Sequence, residues 1–271
     1  MTPVVAEPGR GGSLVARTGG LVAWIGYLFL LLPSLIVIPV SFSGSQEFQF
    51  PPRELSLSLY RQFFTEQAWW GATIQSFKVA ALTTIFSTAI AVPAAYALTR
   101  AEFPGKRALN VLVLSPILVP VIVLGLGLYL NFAWLGIVGS TASLVIAHTV
   151  LVVPFIVVSV SSGLRQIDPA LETVALLMGA SRVRVLRSVV LPQIRPAIAV
   201  GALFAFLISF DEVVVAYFLA GPTTMTLPVK MYSAIRWEVS PVLAAISTLL
   251  TFASLIVCLA MLMLQKPEQK I

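Results

Sequence analysis

The stretch that decides the fold is DPALETVALLMGASRVRVLRSVVLPQIRP, Asp168 to Pro196, a polar two-helix insert in a chain that is otherwise mostly apolar. Asp168 followed by Pro169 reads as an N-cap with proline at the first helical position, where its missing N–H costs nothing. The helix starting there sets Leu171, Val174, Ala175 and Met178 on one apolar stripe. Gly179 is placed to end it, because glycine tolerates the left-handed conformation of a helix C-terminus. Ala180 and Ser181 follow, and Ser181 caps a second helix bearing Arg182, Arg184 and Arg187. Leu191-Pro192 is expected to stop that helix near Val190. Such an insert either lies on lipid headgroups or seats its stripe in a groove of a partner protein.

Outward from the insert, the composition is that of a membrane protein. Of 271 residues, 58% are hydrophobic and only 10% charged, against roughly a quarter charged in a soluble domain. The apolar runs reach the length needed to cross a hydrocarbon core as helices. They predict an all-α polytopic fold of six spans, at about 21–42, 72–99, 108–130, 140–162, 197–219 and 241–264. The first follows a Gly-rich tail, 1–20, and exceeds the core of a signal peptide, so it reads as uncleaved. Between spans one and two, residues 43–71 read as an exposed loop with a short amphipathic helix, and Trp69 and Trp70 as an interfacial return. Pro33 and Pro39 are of the kind that membrane helices tolerate, and Pro116 and Pro120 fall inside span three. Lys78, near the outer end of span two, reads as snorkelling, and residues 220–240 read as a loop.

The basic residues give the orientation. Arg10, Arg17, the 100–107 turn, the 163–196 loop with its arginines, and the 265–271 tail with Lys266 and Lys270 fall on one side, whereas Arg53, Arg61, Lys230 and Arg236 fall on the other. The richer side is expected to be cytoplasmic, with both termini there. The net charge of +6 therefore serves orientation, and no basic run is interleaved with aromatics as a nucleic-acid surface requires. Cys258 stands alone, so no internal disulfide or cysteine metal site is expected.

Two features within the spans carry chemistry. Asp211 and Glu212 sit in an apolar helix, where each carboxylate costs about 2.5–3.5 kcal/mol on insertion scales. They either line a translocation pathway for a cationic solute, with Asp211 favoured and Phe210 and Tyr217 offering aromatic faces, or form an ion pair with Lys78, Lys230 or Arg236. The single histidine, His148, has no companion at ligand spacing and reads as a packing residue. No G-x-x-x-x-G-K-[ST] element and no catalytic constellation is present, so the chain is expected to be no enzyme and to hold no metal or cofactor.

The insert also carries a family resemblance. Glu172, Ala175, Gly179-Ala180-Ser181, Val189, Leu191, Pro192 and Pro196 resemble the signature loop of ABC-importer inner-membrane permeases, with Thr173-Val174-Ala175 where that family usually has Glu-Ala-Ala. FDEVVVAYFLAGP from Phe210, TLPVKMYSAIR, SPVLAAIST and the Phe50–Phe64 segment look like the polyamine (putrescine/spermidine) group, specifically the second of its two permeases. The resemblance implies a type I importer permease in a bacterial inner membrane, paired with a related permease, a cytoplasmic ATPase dimer that holds ATP and Mg, and an external binding protein. It makes Asp168, Glu172, Ala175, Gly179, Ala180, Ser181, Arg184, Leu191 and Pro192 the ATPase-coupling loop. Other solutes, such as opines or amino-acid derivatives, remain open, as do a secondary carrier and a purely structural subunit.

Overall fold

The computed structural model describes residues 11–45, 47–237 and 239–264. Residues 1–10, with Arg10, and the 265–271 tail, with Lys266 and Lys270, lie outside the described residues. In chain order the helices are α1 (Gly11–Ser41), α2 (Ser58–Thr65), α3 (Gln67–Arg100), α4 (Lys106–Leu118), α5 (Val121–Trp134), α6 (Thr141–Arg165), α7 (Pro169–Leu177) and α8 (Arg182–Val185). A π-helical turn, Leu186–Val190, follows, then α9 (Leu191–Asp211), α10 (Val214–Leu219), α11 (Leu227–Trp237) and α12 (Val242–Leu264). Among the described residues there is no strand, only an isolated bridge between Ser43 and Leu55.

The chain divides into two compact units, one running to Glu66 and resuming at Glu238, the other being Gln67–Trp237. In the first, α1 passes through Pro33 and Pro39 without interruption and packs along α12. The expected amphipathic helix is α2, which buries Leu59 and Phe63 and is tied back by the Tyr60 and Ser41 hydroxyls at 2.6 Å.

In the second unit, α3, α6 and α9 form the core. Ala91 and Ala95 of α3 meet Val152, Ile156 and Val160 of α6, with Ile194 and Ala205 of α9 completing the cluster. Lipid tails are as apolar as these side chains, so close packing rather than removal from water favours the association. Small residues permit it: a Cβ on Gly163 would stand 2.6 Å from that of Ala197, and one on Gly201 would stand 3.2 Å from the Ile156 backbone.

Among the described residues, four helices are long and apolar enough to span a membrane: Gly19–Ser41, Gln67–Arg100, Thr141–Arg165 and Arg182–Asp211. The helix pair α4 and α5 passes as a fifth candidate only when joined across its 107° bend, and the apolar stretch Val242–Ile256 of α12 is shorter. Several boundaries differ from expectation. Pro116 is accommodated inside α4, but Pro120 breaks the third span: Val119 before it is extended, with φ −82° and ψ 130°, as the steric demand of a following proline favours. α3 begins at Gln67, so both tryptophans are helical, and Trp69 is buried beneath Lys230, which sits 5.1 Å from its ring centre, not at an exposed interface. The segment read as the loop 220–240 contains α11, started by Pro228 and fastened by the Leu227 N–H donating to Ser76 Oγ at 2.8 Å.

Candidate functional site

The insert folds as its caps dictate. Asp168 Oδ1 accepts from the Ala170 N–H at 2.9 Å. At the other end Gly179 has φ +87°, the Gly179 N–H donates to Leu176 O at 2.9 Å, and the Ala180 N–H reaches back to Ala175 O at 3.1 Å. This pair of bonds is the glycine-ended Schellman closure, and Ala175 and Ala180 supply its apolar contact by packing on the core. Ser181 Oγ then caps α8, accepting from the Arg184 N–H at 3.4 Å.

Of the expected apolar stripe of α7, Ala175 turns inward and packs on the core, whereas the others are not buried by the chain itself. Leu171 and Val174 are half exposed, and Leu177 and Met178 are each 83% exposed. The inward face carries Glu172 instead. Its carboxylate accepts from Tyr96 OH at 2.7 Å and from Arg100 Nε at 2.8 Å. Arg100 Nη2 donates to the carbonyls of Leu164 and Ile167, both at 2.9 Å. One guanidinium therefore closes the C-terminal end of α6, where unpaired carbonyls and the negative end of the helix dipole collect, and holds α7 through a carboxylate. Side-chain exposures of 17% for Arg100 and 11% for Glu172 make loss of one partner costlier here than in a surface ion pair.

Leu191-Pro192 does not stop the second helix. The chain widens into the π-turn Leu186–Val190, in which the Leu191 N–H bonds Leu186 O, and continues into α9. The wider turn accommodates Pro192, whose ring and missing N–H would disrupt a regular α-turn. Val185, Val190 and Ile194 are buried in the core, so α7 connects through a glycine turn to a continuous helical stretch, Arg182–Asp211.

That stretch ends at the acidic pair. Glu212 is extended, with φ −69° and ψ 117°, and its Oε1 accepts from the Val215 N–H at 2.8 Å, which caps α10 after the break. Asp211, on the last turn of α9, is exposed and makes no hydrogen bond or ion pair among the described residues. The expected continuous helix through this pair is thus interrupted, and the ion pair of Asp211 with Lys78, Lys230 or Arg236 is not formed. Phe210 packs against Phe77 at 5.0 Å and Phe206 at 6.0 Å, whereas Tyr217 faces Tyr232 at 5.7 Å, so the two aromatics belong to separate groups.

His148 is fully buried and its Nδ1 lies 2.9 Å from Ser209 Oγ, joining α6 to α9. Among the described residues no three His, Cys, Asp or Glu side chains converge as a metal site would require. Sequence reasoning used Arg100 only for orientation and did not single out Tyr96. No local pattern links either to Glu172, more than seventy positions away.

Residues 87–266 match the family described as binding-protein-dependent transport system inner membrane component. The chain is 32% identical over 252 residues to the spermidine/putrescine transport system permease protein PotC of Escherichia coli K12, covering 93% of this chain and 95% of that protein. It is 30% identical over 255 residues to the putrescine transport system permease protein PotI of the same organism, covering 92% and 87%. In fold it is similar to a chain of a bacterial ABC transporter involved in the import of the acidic polysaccharide alginate, with a TM-score of 0.75 and 16% identity over 98% of this chain and 100% of that one.

Proposed function

This chain belongs to the family of binding-protein-dependent transport system inner membrane components, a permease of an ABC importer, and we propose that it forms part of the path by which a polyamine such as putrescine or spermidine enters the cell. The polyamine assignment is supported by the identity to PotC and PotI over most of the chain and by the acidic pair Asp211–Glu212 at the end of the apolar helix α9. Six spans are proposed, α4 and α5 together forming the third and α12 the sixth. The 163–196 loop and both termini lie on the cytoplasmic side, as the distribution of basic residues requires.

The observation that carries the coupling role is the α7 face. Leu171, Val174, Leu177 and Met178 point away from the chain's own core while Glu172 and Ala175 point into it. A capped helix with an outward apolar stripe is what a groove on a separate ATPase subunit would take. ATP and Mg belong to that subunit, and this chain performs no hydrolysis. A related permease completes the pathway and an external protein delivers the solute. Coupling requires ATP to be bound with different affinity in the inward- and outward-facing states. The Glu172–Arg100 bond and the unbroken helix from Arg182 give a displacement of α7 two routes, to α3 with α6 and to α9.

At the other end of α9, Asp211 is the proposed pathway carboxylate: it is exposed and unpaired, and a cationic amine would supply the missing charge. Glu212 keeps the break open by capping α10. The test is ATP-dependent polyamine uptake into proteoliposomes holding both permeases and the ATPase, with the binding protein outside. Asp211→Asn should lower uptake at least tenfold while Glu212→Gln, which can still accept the capping bond, retains most of it. Equal uptake by Asp211→Asn and wild type would remove Asp211 from the pathway.

A further inference from the structure

Beside the coupling loop lies an open cleft of about 810 Å³, in the size range of pockets that hold small molecules. Its wall brings together the ends of three apolar helices: Arg100 at the end of α3, Lys106 and Arg107 at the start of α4, and Arg165 at the end of α6. Four cations therefore face one acid, Glu102. Two of the four are already engaged. Arg100 holds Glu172 and the carbonyls of Leu164 and Ile167, and Lys106 pairs with Glu102 at 2.8 Å. Arg107 and Arg165 are exposed and have no hydrogen-bond or ion-pair partner among the described residues.

The cleft opens where the chain is most lipid-like. No residue of α4 is buried, and Val111, Leu112 and Leu118 along it are mostly exposed, so an apolar wall runs directly away from the two arginines. A helix terminus in this position stands at the headgroup level, where basic clefts take anionic lipids. Guanidinium forks match the oxygens of a phosphodiester better than ammonium groups do. Part of the remaining wall, Ile167 and Pro169, belongs to the turn by which α6 enters α7.

We infer that this cleft binds the phosphodiester of an anionic phospholipid of the same leaflet, with Arg107 and Arg165 on the headgroup and the acyl chains along α4, and that the bound lipid braces the entry to the coupling loop. The site rests on the permease reading for its side of the membrane. An acidic surface of the ATPase would meet the same charges, but it would leave the apolar face of α4 uncovered.

The test uses the whole importer, both permeases with the ATPase, reconstituted in nanodiscs of phosphatidylcholine alone or mixed with phosphatidylglycerol. Lipids retained through detergent purification are counted by mass spectrometry, and binding-protein-stimulated ATPase activity is measured in each disc. Wild type should retain phosphatidylglycerol selectively and be stimulated more strongly in its presence. Arg107→Gln with Arg165→Gln should weaken that retention about thirty-fold, as loss of two juxtamembrane cations implies, and abolish the difference between discs. Because both side chains are exposed and unpaired, this variant should assemble normally. Arg53→Gln with Arg61→Gln, the same change in net charge elsewhere, should change neither readout.

Indifference of wild type to the lipid, or equal loss in the Arg53/Arg61 control, would overturn the inference. So would displacement of the lipid by inorganic phosphate, which marks a free-anion site. Loss of the ATPase from the Arg107/Arg165 variant with lipid retention unchanged would make the cleft a protein-docking surface. If the ATPase failed to copurify even with wild type, the permease reading itself would fail, a separate result.

Discussion

Substituting Glu172 by Gln tests whether the coupling loop is held by the clamp described above. The change keeps the volume of the side chain and an acceptor for Tyr96 OH, which donates at 2.7 Å, but removes the charge that Arg100 Nε meets at 2.8 Å. Breaking a buried pair costs about 3–5 kcal/mol. The cost here is smaller, because Arg100 keeps its two carbonyl acceptors at Leu164 and Ile167 and the neutral amide still accepts weakly. Loss of one charge-assisted bond, about 2 kcal/mol, is the appropriate scale. The cost falls on the attachment of α7, so local opening should become about thirty-fold more frequent. Hydrogen exchange in the detergent-solubilised permease pair should show amides 172–178 exchanging faster by that factor while α6 and α9 keep their protection. Arg100→Lys should behave similarly or worse, since one ammonium cannot span a carboxylate and two carbonyls. Arg100→Met combined with Glu172→Met should cost less than the sum of the singles, since neither charge is stranded. Exchange of α7 at the wild-type rate in Glu172→Gln would refute the clamp, and uniformly faster exchange would mean that the residue supports the whole fold.

Gly179→Asp should abolish binding-protein-stimulated ATPase activity and uptake with membrane insertion unchanged. A Cβ there meets nothing within 4 Å, so its cost is the left-handed backbone at φ +87°, roughly 1–2 kcal/mol, and surviving transport would remove the turn from the coupling path. Leu177→Glu with Met178→Glu should leave the thermal midpoint within about 2 °C, because both side chains are mostly exposed, yet prevent copurification of the ATPase subunit. Normal copurification would place docking elsewhere. Gly163→Val should lower the thermal midpoint, since even one added carbon stands 2.6 Å from Ala197 Cβ and overpacking costs about 1–3 kcal/mol. An unchanged midpoint would mean that the α6–α9 crossing is looser than the structure shows.

Much of the molecule was legible in the sequence because the responsible physics is local. An N-cap depends on Asp168 and its next few residues, a helix end on Gly179, and both form where those residues stand. The apolar runs require helices because lipid offers no partner for a free backbone group and long runs without apolar–polar alternation do not form a spanning barrel. The outward face of α7 was readable in part: Leu171, Val174 and Met178 repeat at helical spacing, but Ala175 of the expected stripe turns inward and Leu177 takes its place outside.

What the sequence misjudged depended on contacts between distant segments or on how a helix absorbs a proline. Pro192 looked like a terminator. The buried contacts of Val185, Val190 and Ile194 hold the helix together across it, and a π-turn takes up the misfit. Pro120 was placed inside the third span, yet the chain bends by 107° beside it. Asp211 was favoured over Glu212 with both placed in one continuous helix, but only the break between α9 and α10 gave Glu212 a capping bond and left Asp211 exposed. Glu172 shows the division most clearly: its place in α7 follows from the local caps. That it faces inward to Tyr96 and Arg100 rather than outward to a partner was decided only when α3 and α6 packed together, because an ion pair between residues so far apart in sequence exists only after the chain between them has folded.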